Sequence, residues 1–315
     1  MLKKRAFNKI IFTTFTVFII LTIFLLPTGK EKENKLHPSI TVEYKNSDYG
    51  NVYLLNEASQ LVKVNLLIKS EGNDIKEKIK VIIESLIISN NNLIPQGLHA
   101  IIPKNTKVLA VNVDENIIYI NFSKEILNVS EENQIKMVEA IASSVLELDN
   151  INGVAIYVEE KPIKELLTIN LPNIITRDFG INKKYDFKNP KNVSKVVIYY
   201  TNDIYGKTYY VPVTKYVNDD REKIAIIVEE LSSNYVYEPN LISYLNNSSE
   251  LTNYEIDNDK MILNFNNSIF MKDNKILEEV IYTISYSIFA NYDINEVVFQ
   301  VDDSDFVKKV IKNVE

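Results

Sequence analysis

The chain has 315 residues and contains no cysteine, no tryptophan, two histidines and seven glycines. Without cysteine there is no disulfide, no thiol nucleophile and no thiolate metal site. Of the histidines, His37 falls in the stretch ahead of both repeated segments described below and His99 has no second histidine in its own segment to complete a site, so a histidine pair for acid–base work or metal binding has no support. Phosphate-cradling loops need several glycines at fixed spacing, and no G-x-x-x-x-G-K-[ST], G-x-G-x-x-G or G-x-S-x-G string occurs. Positive charge is also short. Thirty-five Lys and Arg face 42 Asp and Glu, for a net charge of -7 without a basic stripe, so nucleic acid has no electrostatic footprint here.

What the chain does have is internal repetition. EKIKVIIESL (Glu77 to Leu86) returns as EKIAIIVEEL (Glu222 to Leu231) at an offset of 145. VNVDENIIYINF (Val111 to Phe122) then pairs with YEIDNDKMILNF (Tyr254 to Phe265), and NGVAIYVE (Asn152 to Glu159) with NEVVFQVD (Asn295 to Asp302), both at 143. Three segments in the same order at nearly one offset indicate two copies of one domain. A unit of this length can hold its own core.

The first 29 residues differ in kind. Lys3, Lys4, Arg5 and Lys9 precede an uncharged run from Ile10 to Leu26, 17 residues long and near the lower limit for crossing a bilayer. The run is not followed by a small-residue cleavage pattern, so it reads as an uncleaved single-pass anchor, 1–29, with the amino terminus cytoplasmic and the body outside. Residues 30–44 read as a tether and 45–170 as the first domain. Residues 171–194, broken by Pro172, Gly180 and Pro190, read as a linker, and 195–315 as the second domain.

Within each copy the apolar period switches from 2 to 3.6 and back. Val52 to Asn56 and Leu61 to Ile68 predict strands, and Ile75, Ile79, Ile82, Ile83 and Leu86 one face of a helix. Val108 to Val113 and Ile118 to Phe122 predict a hairpin around Asp114-Glu115-Asn116. Ser130 predicts a helix cap before the stripe Val138, Ile141, Ala142, Val145 and Leu148, and Val154 to Val158 a closing strand. The second copy repeats this with helix stripes at Ile224 to Leu231 and Val280 to Ile288, a hairpin at Asn258-Asp259 and a strand at Val297 to Val301. The expectation is an α+β chain of two tandem two-layer domains, each a small sheet covered on one face by two helices.

GLHAIIPKNTKVLAVNVDENIIYINFSKEI (Gly97 to Ile126) and, in the second copy, VPVTKYV (Val211 to Val217) resemble the GerM domain family. The first copy has LVKVNLL (Leu61 to Leu67) where the family carries a proline-containing strand, and the second lacks the Gly-Leu turn. The resemblance covers the chain after residue 45. It implies a ring-building-motif-like fold and an extracytoplasmic, non-enzymatic role in the sporulation and germination apparatus, supporting a multiprotein complex between mother cell and forespore. It also implies partners among the other membrane proteins of that complex and self-association into higher oligomers. Members are often lipoproteins; with no cysteine this chain cannot be one, and the apolar segment Ile10 to Leu26 must anchor it.

Residues that could carry chemistry have plainer explanations. His99 reads as a solvated turn residue; Asp302, Asp303 and Asp305 lack the loop spacing of a calcium site. Asp219, Asp220 and Glu222 precede a helix, where carboxylates cap free N–H groups. No catalytic, cofactor or metal residue is assigned. The nineteen tyrosines remain. Tyr199, Tyr205, Tyr209, Tyr235 and Tyr237 in the second copy are candidate interface residues, since amphipathic aromatics anchor protein contacts. The alternative is an extracytoplasmic binding module for cell-wall glycan or a small ligand. A flat apolar patch favours the protein partner, a groove lined by tyrosines and carboxylates the sugar.

Overall fold

The computed structural model describes residues 49–68, 74–89, 94–233, 240–271, 275–302 and 308–312. The expected anchor Ile10 to Leu26 and tether 30–44 lie outside them, as do Tyr235, Tyr237, Asp303 and Asp305. Among the described residues no helix is long and apolar enough to cross a membrane.

The first copy runs β1 (Tyr49–Asn56), β2 (Leu61–Leu67), α1 (Ile75–Ser85), β3 (Leu98–His99), β4 (Val108–Asp114), β5 (Ile117–Phe122), α2 (Gln134–Leu146), β6 (Gly153–Val158) and β7 (Lys161–Pro162). After a short β8 (Lys184–Asp186) the second copy runs β9 (Ser194–Ile204), β10 (Lys207–Val217), α3 (Lys223–Ser232), β11 (Leu251–Asp257), β12 (Lys260–Phe265), α4 (Glu278–Asn291), β13 (Glu296–Val301) and β14 (Lys308–Ile311). Each copy builds a four-stranded sheet of matching order, β4-β5-β6-β7 and β11-β12-β13-β14. In each, the two central strands are parallel and joined by a crossover helix, α2 or α4. The apolar alternation explains the inner faces. Ile118, Ile120 and Phe122 are fully buried, and so are Met261, Leu263 and Phe265, which stand 143 residues further on.

Local signals act where expected. The Asp74 carboxylate accepts from the Lys76 N–H at 2.9 Å and starts α1. Glu115 and Asn116 have φ of 43° and 66°, the pair of left-handed residues that a two-residue hairpin needs between Asp114 and Ile117. Two expected caps fail. Ser130 opens a single 3₁₀ turn without its hydroxyl capping a backbone N–H, and α2 begins at Gln134. Asp219 turns to the backbone and guanidinium of Arg221, and the Ile224 N–H in the first turn of α3 donates instead to the Tyr292 hydroxyl at 2.9 Å.

The expectation that each copy holds one complete sheet under two helices needs correction. The first hairpins of the two copies, β1–β2 and β9–β10, leave their own sheets and pool into a six-stranded sheet of order β3-β1-β2-β10-β8, with β9 on the other edge of β10. β2 and β10 meet antiparallel at Lys63 and Tyr210. α2 packs on β1 of the shared sheet and β6 of its own, and α4 packs on β9 and β14. Alternation along a strand tells which side chains face inward; it does not tell which edge the backbone will pair with.

The residues between the copies do more than connect them. Leu171, Ile175 and Ile181 are buried, Ile175 bridges to Val154, and β8 adds in parallel to β10. The described residues form one compact unit.

Candidate functional site

Equivalent residues of the two copies meet face to face. The Tyr53 hydroxyl lies 3.1 Å from that of Tyr199, and the Asn56 amide donates to Asn202 Oδ1 at 3.3 Å. Both pairs stand 146 residues apart. Residue meeting its own equivalent is the signature of an isologous contact, here between two halves of one chain. The supports are duplicated as well. Ser144 Oγ on α2 accepts the Tyr53 N–H at 2.9 Å, and Ser287 Oγ on α4 accepts the Tyr199 N–H at 2.9 Å. Each serine hydroxyl in turn donates to the carbonyl four residues back, of Ala140 or Thr283.

A buried polar network spreads from this pair. Tyr53 Oη donates to Glu147 Oε1 at 2.6 Å, and Lys63 Nζ lies 3.1 Å from Glu147 Oε2 and 4.6 Å above the Tyr286 ring. Burial would raise the Glu147 carboxyl; Lys63, hydrogen bonds from Tyr53 and Lys63, and Arg177 outweigh it and hold the group below the usual carboxylate range. Burial, followed by the Glu147 charge, pushes the Tyr199 hydroxyl up to about 12 and moves Tyr53 the same way. A second cluster lies beside it. Glu139 is 2 % exposed and sits 3.5 Å from both Lys136 and Lys183, whose ammonium groups are lowered by burial despite that carboxylate.

Beside the network a cleft of about 780 Å³ opens between the copies. Asn51, Lys63, Glu147, Tyr199, Tyr282, Tyr286 and Phe289 line it, and Arg177, also in the lining, is held by the Ile151 and Leu146 carbonyls. Tyr199, Tyr210, Tyr282 and Tyr286 pack ring against ring, with centroids 5.2 to 5.9 Å apart.

The candidate interface tyrosines separate. Tyr199 and Tyr209 are 6 % and 5 % exposed and belong to the interior, so they are not surface anchors. Both lie on a strand that is covered by α4 or flanked by neighbouring strands, which the sequence alternation could not show. Tyr205 is 66 % exposed at the β9–β10 turn with φ 49°, and its ring packs so near Gly97 that a Cβ there would fall 2.8 Å from it. Tyr185, not foreseen, is 64 % exposed and stacks on Tyr216 at 5.0 Å. His99, expected in a turn, forms part of β3 beside Leu55 and is exposed. Among the described residues no group of three or more His, Asp or Glu converges as metal ligands. Sequence reasoning missed Lys63, Asn182, the two serines and Glu147. The YLLN (Tyr53 to Asn56) and YYTN (Tyr199 to Asn202) repeat was the readable signal for the central contact.

Comparison with known proteins agrees with the duplicated geometry. The family model Germane, described as sporulation and spore germination, matches residues 51–164 and 197–305, one match per copy. The chain is 24% identical over 263 residues to the spore germination protein GerM of Bacillus subtilis (strain 168), covering 80% of this chain and 70% of that protein. Its fold matches the solved tandem GerMN domains of the sporulation protein GerM from Bacillus subtilis with a TM-score of 0.76 at 22% identity, over 85% of this chain and 97% of that one.

Proposed function

We propose, starting from the fact that this chain belongs to the Germane family of sporulation and spore germination, that it is a membrane-anchored, non-enzymatic assembly protein of that apparatus. In this reading Ile10 to Leu26 holds the chain in the membrane, the body stands outside the cytoplasm, and it supports a complex of other sporulation membrane proteins between mother cell and forespore. The observation that carries the reading is the fusion of the two copies through a shared sheet and a polar network whose charged groups already satisfy one another. Chemistry spent on joining the halves favours a rigid bearing body over a reaction centre. Partner contact is assigned to tyrosines that reach solvent, Tyr185 stacked on Tyr216, and Tyr205, because interface energy concentrates in a few aromatic anchors.

The test is a crosslinking pull-down from membranes of sporulating cells, with wild type beside Tyr185→Ala and Tyr205→Ala. Recovery of membrane proteins of the sporulation complex, reduced in a folded variant, supports the reading. Normal sporulation and germination in a strain lacking the gene would overturn it. Amino-terminal sequencing tests the anchor separately; a mature chain starting after Leu26 contradicts it.

A further inference from the structure

We infer that the cleft between the two copies is a binding site for a neutral, polyhydroxylated ligand, a short oligosaccharide segment. The charge on its walls cancels. Lys63, Arg177 and Lys312 stand against Glu147, Asp149 and Asp293, so neither a phosphorylated nor a cationic ligand gains a net field. Hydrogen-bonding groups are nonetheless dense. Asn51, Asn150, Asn152 and Asn295 line the cleft together with Tyr282 and Tyr286, while the Asn291 amide, also there, is held by Val197 and Ser287. A wall that pairs amides with amphipathic rings suits a ligand having hydroxyls at its edges and C–H groups on its faces. The volume of about 780 Å³ lies in the range of small-molecule sites.

One atom points to the ligand more directly. Asn51 donates through Nδ2 to Glu147 Oε2 at 3.4 Å, while its Oδ1 is buried and has no hydrogen-bond partner among the described residues. A buried acceptor left unpaired costs free energy. Solvent does not reach that oxygen in this structure, so a ligand hydroxyl pairs with it only after Asn51 turns it into the cleft. The site stands independently of the assembly reading, because it is built from the junction of the copies rather than from their outer surface.

The experiment uses the full chain in a zwitterionic detergent without a sugar headgroup, titrated with chitotetraose and, in parallel, maltotetraose. Calorimetry and tyrosine emission follow binding; with no tryptophan in the chain the tyrosine signal is unobscured. Saturable binding of at least one oligosaccharide is expected, weakened tenfold or more by Asn51→Leu and by Tyr286→Phe, and unchanged by Tyr205→Ala. Tyr286→Phe keeps the ring and its packing, so it reads the hydroxyl even if Asn51→Leu fails to fold. Cosedimentation with purified peptidoglycan sacculi assigns the source: pelleting indicates a wall polymer, binding of oligosaccharide alone a free sugar. No saturable binding of either oligosaccharide up to millimolar concentration, or binding indifferent to the folded variants, overturns the inference. Loss of binding leaves the pull-down result untouched, so the two readings fail separately.

Discussion

Asn182 occupies the point where β2 and β10 part after their single register contact. Its φ of 48° is left-handed, a region asparagine tolerates better than most residues. Oδ1 accepts from the Leu61 N–H at 2.9 Å and from Lys136 Nζ at 2.8 Å, while Nδ2 donates to the Leu61 and Pro212 carbonyls, both at 2.8 Å. One side chain thus stands in for rungs of the ladder, on an edge where Pro212 has no N–H to give. Asn182→Ala would strand one buried N–H and remove donors from two carbonyls, and should cost about 3 kcal/mol or more, at roughly 1 to 3 kcal/mol per buried group left unpaired. Urea denaturation measures it; a loss below about 1 kcal/mol would show that water replaces the amide. Tyr199 makes a pH prediction. Its hydroxyl ionises near 10 when unfolded and near 12 when folded, so its contribution is complete below pH 10 and is lost as pH rises from 10 to 12. At about 1.4 kcal/mol per unit that is about 3 kcal/mol. Melting temperature should fall across this window, and less steeply in Tyr199→Phe.

At the scale of elements, α2 and α4 attach to the shared sheet by the same device. Ser144 and Ser287 each bend a hydroxyl back to the helix and accept a strand N–H, from Tyr53 and Tyr199. Each Ser→Ala change leaves a buried strand N–H without its acceptor, and the two should destabilise equally, by about 1 to 3 kcal/mol each. Because Tyr53 and Tyr199 touch, the double mutant should depart from additivity. A cycle of chemical denaturation midpoints checks both statements; markedly unequal single effects would mean that the two attachments are equivalent in geometry only. The hairpin at Glu115-Asn116 offers a contrast. There Asn116→Val places a β-branched residue at φ 66° and should cost about 1 to 3 kcal/mol through backbone strain alone.

For the whole molecule the shared sheet changes what a domain is. The two copies carry separate four-stranded sheets and separate crossover helices, yet neither owns a complete set of strands without the other. Units linked by a common sheet, buried tyrosines and the Asn182 amide should unfold together. Denaturant unfolding of the full chain should therefore show one transition, with coincident midpoints by far-ultraviolet dichroism and tyrosine emission. Two resolved transitions would mean that the shared sheet breaks before either copy does.

The sequence by itself determined the duplication, the order of the main strands and helices as far as β6 and β13 though not the edge strands β3, β7, β8 and β14, the inward faces of β5, β12, β6 and β13, and the absence of thiol chemistry. These are local properties: a period of 2 or 3.6 and a left-handed turn pair are written in neighbouring residues. The sequence also held, unread, the YLLN and YYTN pair that forms the central contact. Only the tertiary structure decided that the two first hairpins join each other, that Tyr199 and Tyr209 lie inside while Tyr185 and Tyr205 reach solvent, and that a neutral cleft opens between the copies. Backbone N–H and C=O groups are alike at every residue, so an edge strand does not name its partner. That choice falls to whichever pairing buries the most apolar surface while leaving the fewest polar groups alone.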